Sequence, residues 1–320
     1  MSGAQRPALG IDLGGTAIKA GVVTHDGRII GRGERATEVE KGVGGVVANL
    51  ALAARDAMAN AGIASSEIAG AGIGAPGICN PRDGVVVNAV NLFWHEVPVA
   101  SLLKAELGLR VLLDNDANCA ALGEQWCGAA KGSDHAFMVT LGTGVGGGLI
   151  LNGKIYGGFS GWAGEFGHIP AVENGPHCNC GQHGCLETVA SATAIAAAAR
   201  TAIDSGWSPA LARMATAQEG RVDARLVITA ARAGDEPARE ILAEAGRHLG
   251  RVLAGLVTAL NPELIVVGGG ASHAGDFLLE PCRQVVREKT MPGPGGVVRI
   301  VRAALGNDGG LIGAASLAWR

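Results

Sequence analysis

Short apolar runs that end in glycine turns recur along the first part of the chain. Ala8–Asp12 ends in a Gly-Gly-Thr turn, and Ile18–Val23 continues from that turn as a second strand. Ile68–Ile73 runs in the same way into Gly74-Ala75-Pro76-Gly77. Between them, Gly44–Ala61 has apolar residues at the spacing that is typical of a helix. Strands that alternate with helices indicate an α/β fold.

The same pattern restarts in the second half of the chain. Ala136–Leu141 is a predicted strand that ends in Gly142-Thr143-Gly144. Leu264 begins another buried strand, which ends at Gly268-Gly269-Gly270. The alanine content of Thr188–Ala202 predicts a helix. A second, longer helix is predicted over Glu236–Leu260.

The repeated unit of strand and glycine turn predicts two similar lobes that face each other across a cleft. We expect the boundary near residue 115, with an N-terminal α/β lobe over residues 1–115. The C-terminal α/β lobe then spans residues 116–302 and carries a loop that is rich in cysteine and histidine. A helix within residues 303–320 is expected to complete the first lobe. The 320 residues, 48% of them hydrophobic, suffice for two such cores.

Composition narrows the class of protein. A net charge of -3 shows no bias towards nucleic acid or acidic membranes, and no apolar stretch reaches the roughly 20 residues of a spanning helix. The first strand begins at Ala8, which leaves no room for a signal peptide. Three of the seven cysteines fall between 178 and 185, which favours a metal site in a reducing cytosol over a disulfide framework. We therefore expect a cytoplasmic protein without nucleic-acid or membrane partners.

The two glycine turns are candidate phosphate-binding loops. Their backbone N–H groups can point at anionic oxygens, and the missing Cβ lets a phosphate approach closely. A single such turn is more often only a tight turn, but two matched turns favour nucleotide binding. Their order matches neither a Walker A loop nor a dinucleotide-binding fingerprint. The residues predicted to contact nucleotide are Asp12 (as a water-mediated Mg²⁺ ligand), Gly14, Gly15, Thr16, Gly142, Thr143 and Gly144, with Lys19 facing either a phosphate or solvent.

The run Asp114-Asn115-Asp116 directly follows a predicted strand and opens a predicted helix. An aspartate in this position could serve only as a helix N-cap. Phosphoryl transfer to a sugar hydroxyl, however, benefits from a carboxylate that accepts the hydroxyl proton. Asp116 is therefore the candidate catalytic base, and Asn115 is expected to offer amide hydrogen bonds to neighbouring hydroxyls.

A dense cluster of cysteine and histidine lies between residues 168 and 185. Three thiols and one imidazole form the ligand set of a structural zinc site: His168, Cys178, Cys180 and Cys185. The C-x-C-x₄-C spacing departs from common zinc fingers, and His177 and His183 are rival ligands. Glu165 and Glu187 flank the cluster, where they either accept hydrogen bonds from sugar hydroxyls or are simply solvated charges.

The segment from Gly167-His168 to Glu187 matches the pattern G-H-x₆-G-x₂-C-x-C-G-x₂-G-C-x-E. This pattern resembles the signature of ROK proteins (repressors, open reading frames and kinases). Both glycine turns, the segment Gly74–Gly77 and the run Asp114–Asp116 follow that family's order. The resemblance extends from about residue 8 to the end of the chain.

The resemblance implies the actin-like ATPase fold, in which two ribonuclease H-like lobes close on ATP and a sugar. It implies that Asp116 abstracts the proton of the sugar hydroxyl and that His168 both binds zinc and contacts the sugar. Gly268-Gly269-Gly270 resembles the family's nucleotide-side loop, and family members are commonly dimers or tetramers. The residues that would line the sugar are Gly77 (through its backbone), Asn115, Asp116, Glu165, His168 and Glu187.

The segment Asn88–Pro98 is similar to the equivalent stretch of bacterial ROK glucokinases, which favours glucose as substrate and Asn91 as a further sugar contact. The alternative is a kinase of N-acylmannosamine, N-acetylglucosamine or fructose, and polyphosphate stays open as a phosphoryl donor. A sugar-responsive regulator is less favoured, because ROK repressors carry a helix-turn-helix domain and only residues 1–7 precede the first strand. The expected ligands are ATP, Mg²⁺, a structural Zn²⁺ and a hexose.

Overall fold

A computed structural model describes residues 6–320 of the chain. The strands are β1 (Ala8–Leu13), β2 (Ala17–Val23), β3 (Ile29–Ala36), β4 (Ala71–Ala75), β5 (Ile78–Asn80), β6 (Val85–Ala89), β7 (Trp94–Val97), β8 (Val111–Asn115), β9 (Ala136–Leu141), β10 (Val145–Leu151), β11 (Lys154–Ile155), β12 (Leu264–Gly268) and β13 (Arg299–Arg302). The α-helices are α1 (Gly42–Ala61), α2 (Val99–Leu107), α3 (Asp116–Cys127), α4 (Glu187–Ala190), α5 (Ala192–Asp204), α6 (Pro209–Thr216), α7 (Ala224–Arg232), α8 (Glu236–Leu260), α9 (Asp276–Lys289), α10 (Pro294–Val297) and α11 (Gly309–Leu317).

Two five-stranded sheets share one strand order. The first sheet runs β3-β2-β1-β4-β8, with antiparallel pairs from β3 to β1 and parallel pairs from β1 to β8. The second runs β11-β10-β9-β12-β13, and its β9, β12 and β13 are likewise parallel. A small antiparallel sheet of β5, β6 and β7 comes between β4 and β8 along the chain. The repeat visible in the sequence therefore corresponds to a repeated sheet topology.

Contacts divide the chain into two compact units. The first unit comprises the residues up to Asp134 together with Gly148–Gly164 and Ala304–Arg320. The second unit comprises His135–Gly147 and Glu165–Ala303. The first unit thus extends beyond residue 115, where the sequence analysis places the boundary, and it includes α3.

Helix α3 belongs to the first unit because it packs closely on α11. A Cβ on Gly313 would lie 1.6 Å from the carbonyl oxygen of Cys119, so the two helix backbones touch where a glycine allows it. The buried Glu124 of α3 adds hydrogen bonds from the N–H groups of Ala304 (3.1 Å) and Leu305 (2.8 Å). The local sequence predicts the helix α3, but it does not show that α11 is its packing partner.

The predicted helix over Glu236–Leu260 is confirmed as α8. The Asp235 side chain caps its start by accepting a hydrogen bond from the N–H of Ala238, and Asn261 ends it in the left-handed conformation. Among the helices of residues 6–320, none is long and apolar enough to cross a membrane.

The helix predicted over Thr188–Ala202 is present but is interrupted at Ser191. Helix α4 ends at Ala190, and Ser191 is extended, with φ −71° and ψ 164°. The buried Ser191 Oγ then accepts the N–H of Ala194 at 3.1 Å and caps a new helix, α5. A serine hydroxyl that competes for backbone donors favours a cap over a helix interior, and this preference outweighs the alanine content around it.

Candidate active site and metal site

Three parallel strands bring the predicted chemical residues of the first unit to one edge of the first sheet. Asp12 on β1 lies opposite Gly74 on β4, and Gly74 lies opposite Asp114 on β8. Asn115 and Asp116 follow directly where β8 ends and α3 begins. The carboxyl ends of parallel strands are the usual ligand-binding edge of such a sheet. Asp12 and the run from Asp114 to Asp116 are therefore neighbours.

The first glycine loop (Gly14-Gly15-Thr16) is braced by a residue that the sequence analysis does not single out. Thr37 is fully buried at the end of β3, and its Oγ1 donates to the carbonyl of Gly14 at 2.7 Å. Its N–H donates to the carbonyl of Thr16 at 3.0 Å. Among residues 6–320, no acceptor is found for the N–H groups of Gly15 and Thr16, and both residues are exposed. Thr37 therefore binds the carbonyls of Gly14 and Thr16, and the N–H groups of Gly15 and Thr16 stay available as donors.

Asp12, Lys19 and Asn91 surround the first glycine loop. Lys19 is the cross-strand partner of Asp12 in the β1–β2 pair. Burial raises the pKa of the Asp12 carboxyl, and the Lys19 charge opposes this rise. Asn91 is exposed, and a Cβ on Gly15 would lie 3.7 Å from the Cβ of Asn91. The structure therefore places Asn91 closer to the loop than its position in the sequence indicates.

Asn115 is the N-cap of α3. Its Oδ1 accepts the N–H groups of Ala117 (2.9 Å) and Asn118 (3.2 Å), and its Nδ2 donates to the carbonyl of Gly77 at 3.0 Å. The cap role that the sequence analysis allowed for an aspartate thus falls to the asparagine. Asp116 is the half-buried first residue of the helix. Gly77, Asn115 and Asp116 therefore form one group.

Three acidic side chains, those of Asp12, Asp114 and Asp116, lie close to this group. The buried Asp114 accepts hydrogen bonds from the Asn115 N–H and from Asn118 Nδ2, each at 2.8 Å. Burial raises the pKa of Asp114, against the effect of these hydrogen bonds. The pKa of the fully buried Cys119 thiol is raised well above its usual value by burial and then by three carboxylates: Asp114, Asp116 and Asp12. A divalent cation is electrostatically favoured near such a group of carboxylates.

The second glycine loop (Gly142-Thr143-Gly144) connects β9 to β10 in the second unit. Glu187 Oε2 accepts the N–H of Val145 at 3.1 Å. A Cβ on Gly144 would lie 2.1 Å from the same oxygen, so only glycine lets this carboxylate reach the loop. Glu187, predicted to be a sugar contact, therefore also holds the start of β10.

Gly268, Gly269 and Gly270 lie beside the second glycine loop. Gly268 ends β12 and is the parallel partner of Thr140, near the end of β9. The Ser272 hydroxyl donates to the carbonyl of Gly269 at 2.7 Å and holds the turn that follows. The two glycine segments of the second unit therefore share one edge of the second sheet, as expected for a common nucleotide site.

The four predicted metal ligands converge. The ligand atoms of His168, Cys178, Cys180 and Cys185 all lie within 4.8 Å of one another. The Cys180 and Cys185 sulfurs are 3.6 Å apart, and Cys178 Sγ lies 3.5 Å from His168 Nδ1. A tetrahedron with Zn–S bonds of about 2.3 Å places sulfurs about 3.8 Å apart, so this group fits a zinc ion.

The remaining polar residues of the cluster divide into two groups. His177 and His183 pack edge to face, with ring centroids 5.2 Å apart, and they lie outside the set of four. Glu165 Oε2 lies 3.9 Å from His168 Nε2, the ring nitrogen that does not face Cys178. Burial raises the pKa of Glu165, an effect that His168 opposes and Glu187 reinforces. Glu165, His168 and Glu187 thus form one polar group beside the cysteines.

The predicted sugar residues divide between the units. Gly77, Asn91, Asn115 and Asp116 belong to the first unit, whereas Glu165, His168 and Glu187 belong to the second. Two functional candidates were missed: Thr37 in the first unit and Thr193 in the second, whose hydroxyl donates to the carbonyl of Thr143 at 2.8 Å. A lone threonine carries no pattern, so the sequence offered no signal for either.

Comparison with known proteins gives a consistent result. The ROK family model matches residues 8–320. A glucokinase from Halalkalibacterium halodurans is 42% identical over 306 residues, which cover 95% of this chain and 92% of that protein. A glucokinase from Thermotoga maritima is 39% identical, over 97% of this chain and 96% of that protein.

A solved structure extends the comparison to the fold. The chain is similar to the crystal structure of a ROK family glucokinase from Streptomyces griseus in complex with glucose and AMPPNP. The TM-score is 0.87 and the sequence identity is 36%, and the match covers 98% of this chain and 99% of that one. The predicted actin-like ATPase fold is confirmed by this similarity. The chain belongs to the ROK family.

Proposed function

We propose that this protein transfers the γ-phosphoryl group of ATP to the 6-hydroxyl of a hexose, and that the hexose is glucose. The observation that carries the proposal is the position of Asp116, which begins α3 at the carboxyl-end edge of the first sheet. The similarity of the chain to a glucokinase in complex with glucose and AMPPNP supports the same reaction. Relatives named glucokinase match nearly the whole chain, which favours glucose over other hexoses.

In the proposed reaction, the hydroxyl oxygen of the sugar attacks the γ-phosphorus and ADP leaves. The hydroxyl proton passes to the carboxylate of Asp116, which acts as a general base. The Asn115 side chain is fixed by its cap bonds and by the Gly77 carbonyl, so its position beside Asp116 is set before the sugar binds. Such preorganisation lowers the entropic cost of aligning the hydroxyl with the base.

We assign ATP to the two glycine loops. The exposed N–H groups of Gly15 and Thr16 in the first glycine loop are donors for phosphate oxygens, and Thr143 adds a hydroxyl in the second. Asp12 is proposed to hold Mg²⁺ through water, with Lys19 nearby to limit the cost of its ionisation. Mg²⁺ would neutralise the charge that develops on the phosphoryl oxygens.

We propose a structural Zn²⁺ for the cluster of His168, Cys178, Cys180 and Cys185, because their geometry fits four-coordinate zinc. With Nδ1 of His168 directed at the cluster, Nε2 is left for Glu165 or a sugar hydroxyl. Glu165 and Glu187 then accept hydrogen bonds from other hydroxyls. The metal stabilises this loop and takes no part in phosphoryl transfer. A homodimer or homotetramer and a cytosolic location stay predictions.

A screen of hexoses with the purified protein tests the function. Glucose, fructose, mannose, N-acetylglucosamine and N-acetylmannosamine are each supplied with ATP and Mg²⁺, and ADP release and the phosphorylated sugar are measured. We expect kcat/KM to be highest for glucose. If N-acetylmannosamine is phosphorylated in preference to glucose, it replaces glucose as the proposed substrate. Binding of a sugar without any phosphorylation would favour a regulator. Polyphosphate in place of ATP tests the phosphoryl donor.

A further inference from the structure

We propose that Thr193 is a positioning residue for nucleotide binding, and that it acts by fixing the second glycine loop. This inference rests on the proposed function, because it assigns ATP phosphates to that loop. Thr193 lies in the first turn of α5, and its Oγ1 donates to the carbonyl of Thr143 at 2.8 Å. It is exposed and belongs to none of the motifs that identify the family.

The bond from Thr193 is one of three that attach the second glycine loop to a single short segment. The N–H of Ala192 donates to the carbonyl of Gly142 at 2.8 Å, one residue before the Thr193 bond. Glu187 Oε2 accepts the N–H of Val145, directly after the loop. The loop is therefore held at its beginning, middle and end by residues 187–193.

The start of α5 explains how this attachment arises. The first N–H groups of a helix have no partner within the helix. Ser191 satisfies the N–H of Ala194, and the N–H of Ala192 is then satisfied by the loop carbonyl of Gly142. The hydroxyl of Thr193 extends the same contact by one residue, to Thr143. Because α5 begins anew after α4, it supplies the two donors that bind the loop carbonyls of Gly142 and Thr143.

This arrangement fixes the direction of the loop's peptide groups. A carbonyl that turned towards a phosphate would repel it, whereas an N–H would attract it. The carbonyl oxygens of Gly142 and Thr143 both accept hydrogen bonds from the start of α5, which keeps them from turning towards a phosphate. Among residues 6–320, no acceptor is found for the N–H groups of Thr143 and Gly144. Without the Thr193 hydroxyl, the peptide between Thr143 and Gly144 loses the bond that orients it.

The test compares Thr193→Val, which removes the hydroxyl at nearly constant shape, with Thr193→Ser, which keeps it. The control is Thr201→Val in the same helix, where the hydroxyl donates to the carbonyl of Ala197, within the helix itself. Dissociation constants for AMPPNP with Mg²⁺ are measured by calorimetry without sugar. Loss of one hydrogen bond should weaken AMPPNP binding about 2- to 10-fold in Thr193→Val. Thr193→Ser and Thr201→Val should match the wild type.

Steady-state kinetics separate positioning from a general loss of structure. In Thr193→Val the KM for ATP should rise by the same factor, while the KM for the hexose stays unchanged. Wild-type AMPPNP affinity in Thr193→Val, equal weakening in Thr193→Ser, or an equal rise of both KM values would overturn the inference. If the wild-type protein binds AMPPNP but phosphorylates no hexose, the proposed function is refuted. The inference about Thr193 is then still tested by the AMPPNP affinities. A wild-type protein that binds no nucleotide refutes both.

Discussion

The two glycine loops look alike in sequence but are held in different ways. In the first glycine loop, the hydroxyl that binds a loop carbonyl belongs to Thr37, which is fully buried at the end of β3. In the second, the corresponding hydroxyl belongs to Thr193, which is exposed at the start of α5. Each loop thus has one threonine hydroxyl on one carbonyl, at 2.7 and 2.8 Å respectively.

The difference lies in what supports each threonine. Thr37 follows a strand of the first sheet, so its position depends on the core of the first unit. Thr193 follows the proposed metal ligand Cys185 by eight residues, and Glu187 between them lies 4.0 Å from the sulfur of Cys178. The second glycine loop is therefore structurally linked to the cysteine cluster, and the first is held by the core of its own sheet.

The largest expected effect concerns Asp116, the proposed catalytic base, which belongs to the first unit and has no proposed counterpart in the second. Asp116→Asn keeps the size of the side chain but removes the proton acceptor, so kcat should fall about 10²- to 10⁴-fold. Glucose and AMPPNP affinities, measured by calorimetry, should stay within about 3-fold of the wild type. Turnover close to that of the wild type would remove Asp116 from this role.

Loss of the metal should affect the second glycine loop through residues 187–193. Cys180→Ala removes an exposed proposed ligand, and we expect zinc to be missing from the variant on elemental analysis. Because Glu187 and Thr193 lose their support, the KM values for both glucose and ATP should rise about 10- to 100-fold. Cys127→Ala, which removes a thiol outside the cluster, is the matched control and should keep zinc and both KM values. Full zinc content in Cys180→Ala contradicts the ligand assignment.

Thr37→Val tests the same kind of hydrogen bond in a buried setting. The KM for ATP should rise about 2- to 10-fold, as proposed for Thr193→Val. The buried bond should in addition cost about 1–3 kcal/mol in the free energy of unfolding, because the Gly14 carbonyl loses its partner. Thermal unfolding should therefore begin at lower temperature in Thr37→Val but not in Thr193→Val, and Thr37→Ser should restore part of the loss. Equal stability of the two valine variants would remove the distinction between the loops.

The smallest effect is a dependence of stability on pH that belongs to the first unit. Burial raises the pKa of Asp114, so the folded state favours its neutral form. Its stabilising contribution is complete below the ordinary pKa of 3.8 and is lost as the pH rises through the raised pKa. The unfolding temperature of Asp114→Asn relative to the wild type should therefore increase by a few degrees between about pH 4 and pH 7. A constant difference over this range would contradict the raised pKa.

Much of the candidate site follows from local sequence. Cys178, Cys180 and Cys185 lie within eight residues of one another, so a compact loop alone brings their sulfurs together. Asp116 directly follows the short apolar strand β8 and begins helix α3, and the asparagine N-cap between them is a local signal of a helix start. The start and end of α8 were predictable for the same reason, since caps and apolar spacing are local features.

Other parts of the site have no local signal. The break at Ser191 depends on one hydroxyl, which accepts the N–H of Ala194 in a stretch whose composition favours a continuous helix. The three-stranded sheet of β5, β6 and β7 is built from runs of only three to five residues, too short for a periodic pattern to distinguish. It nevertheless carries the backbone that leads to Asn91, beside the first glycine loop.

By itself, the sequence determined which groups are candidates for chemistry: the four potential metal ligands, the aspartates and the glycine turns, because residue type and short spacing set their properties. Only the tertiary structure decided which groups hold them in place. The Asn115 amide meets the Gly77 carbonyl across 38 residues, and the Thr193 hydroxyl meets Thr143 across 50. Such bonds depend on strand order, register and helix starts that are fixed far away in the chain, so no local pattern of residues encodes them.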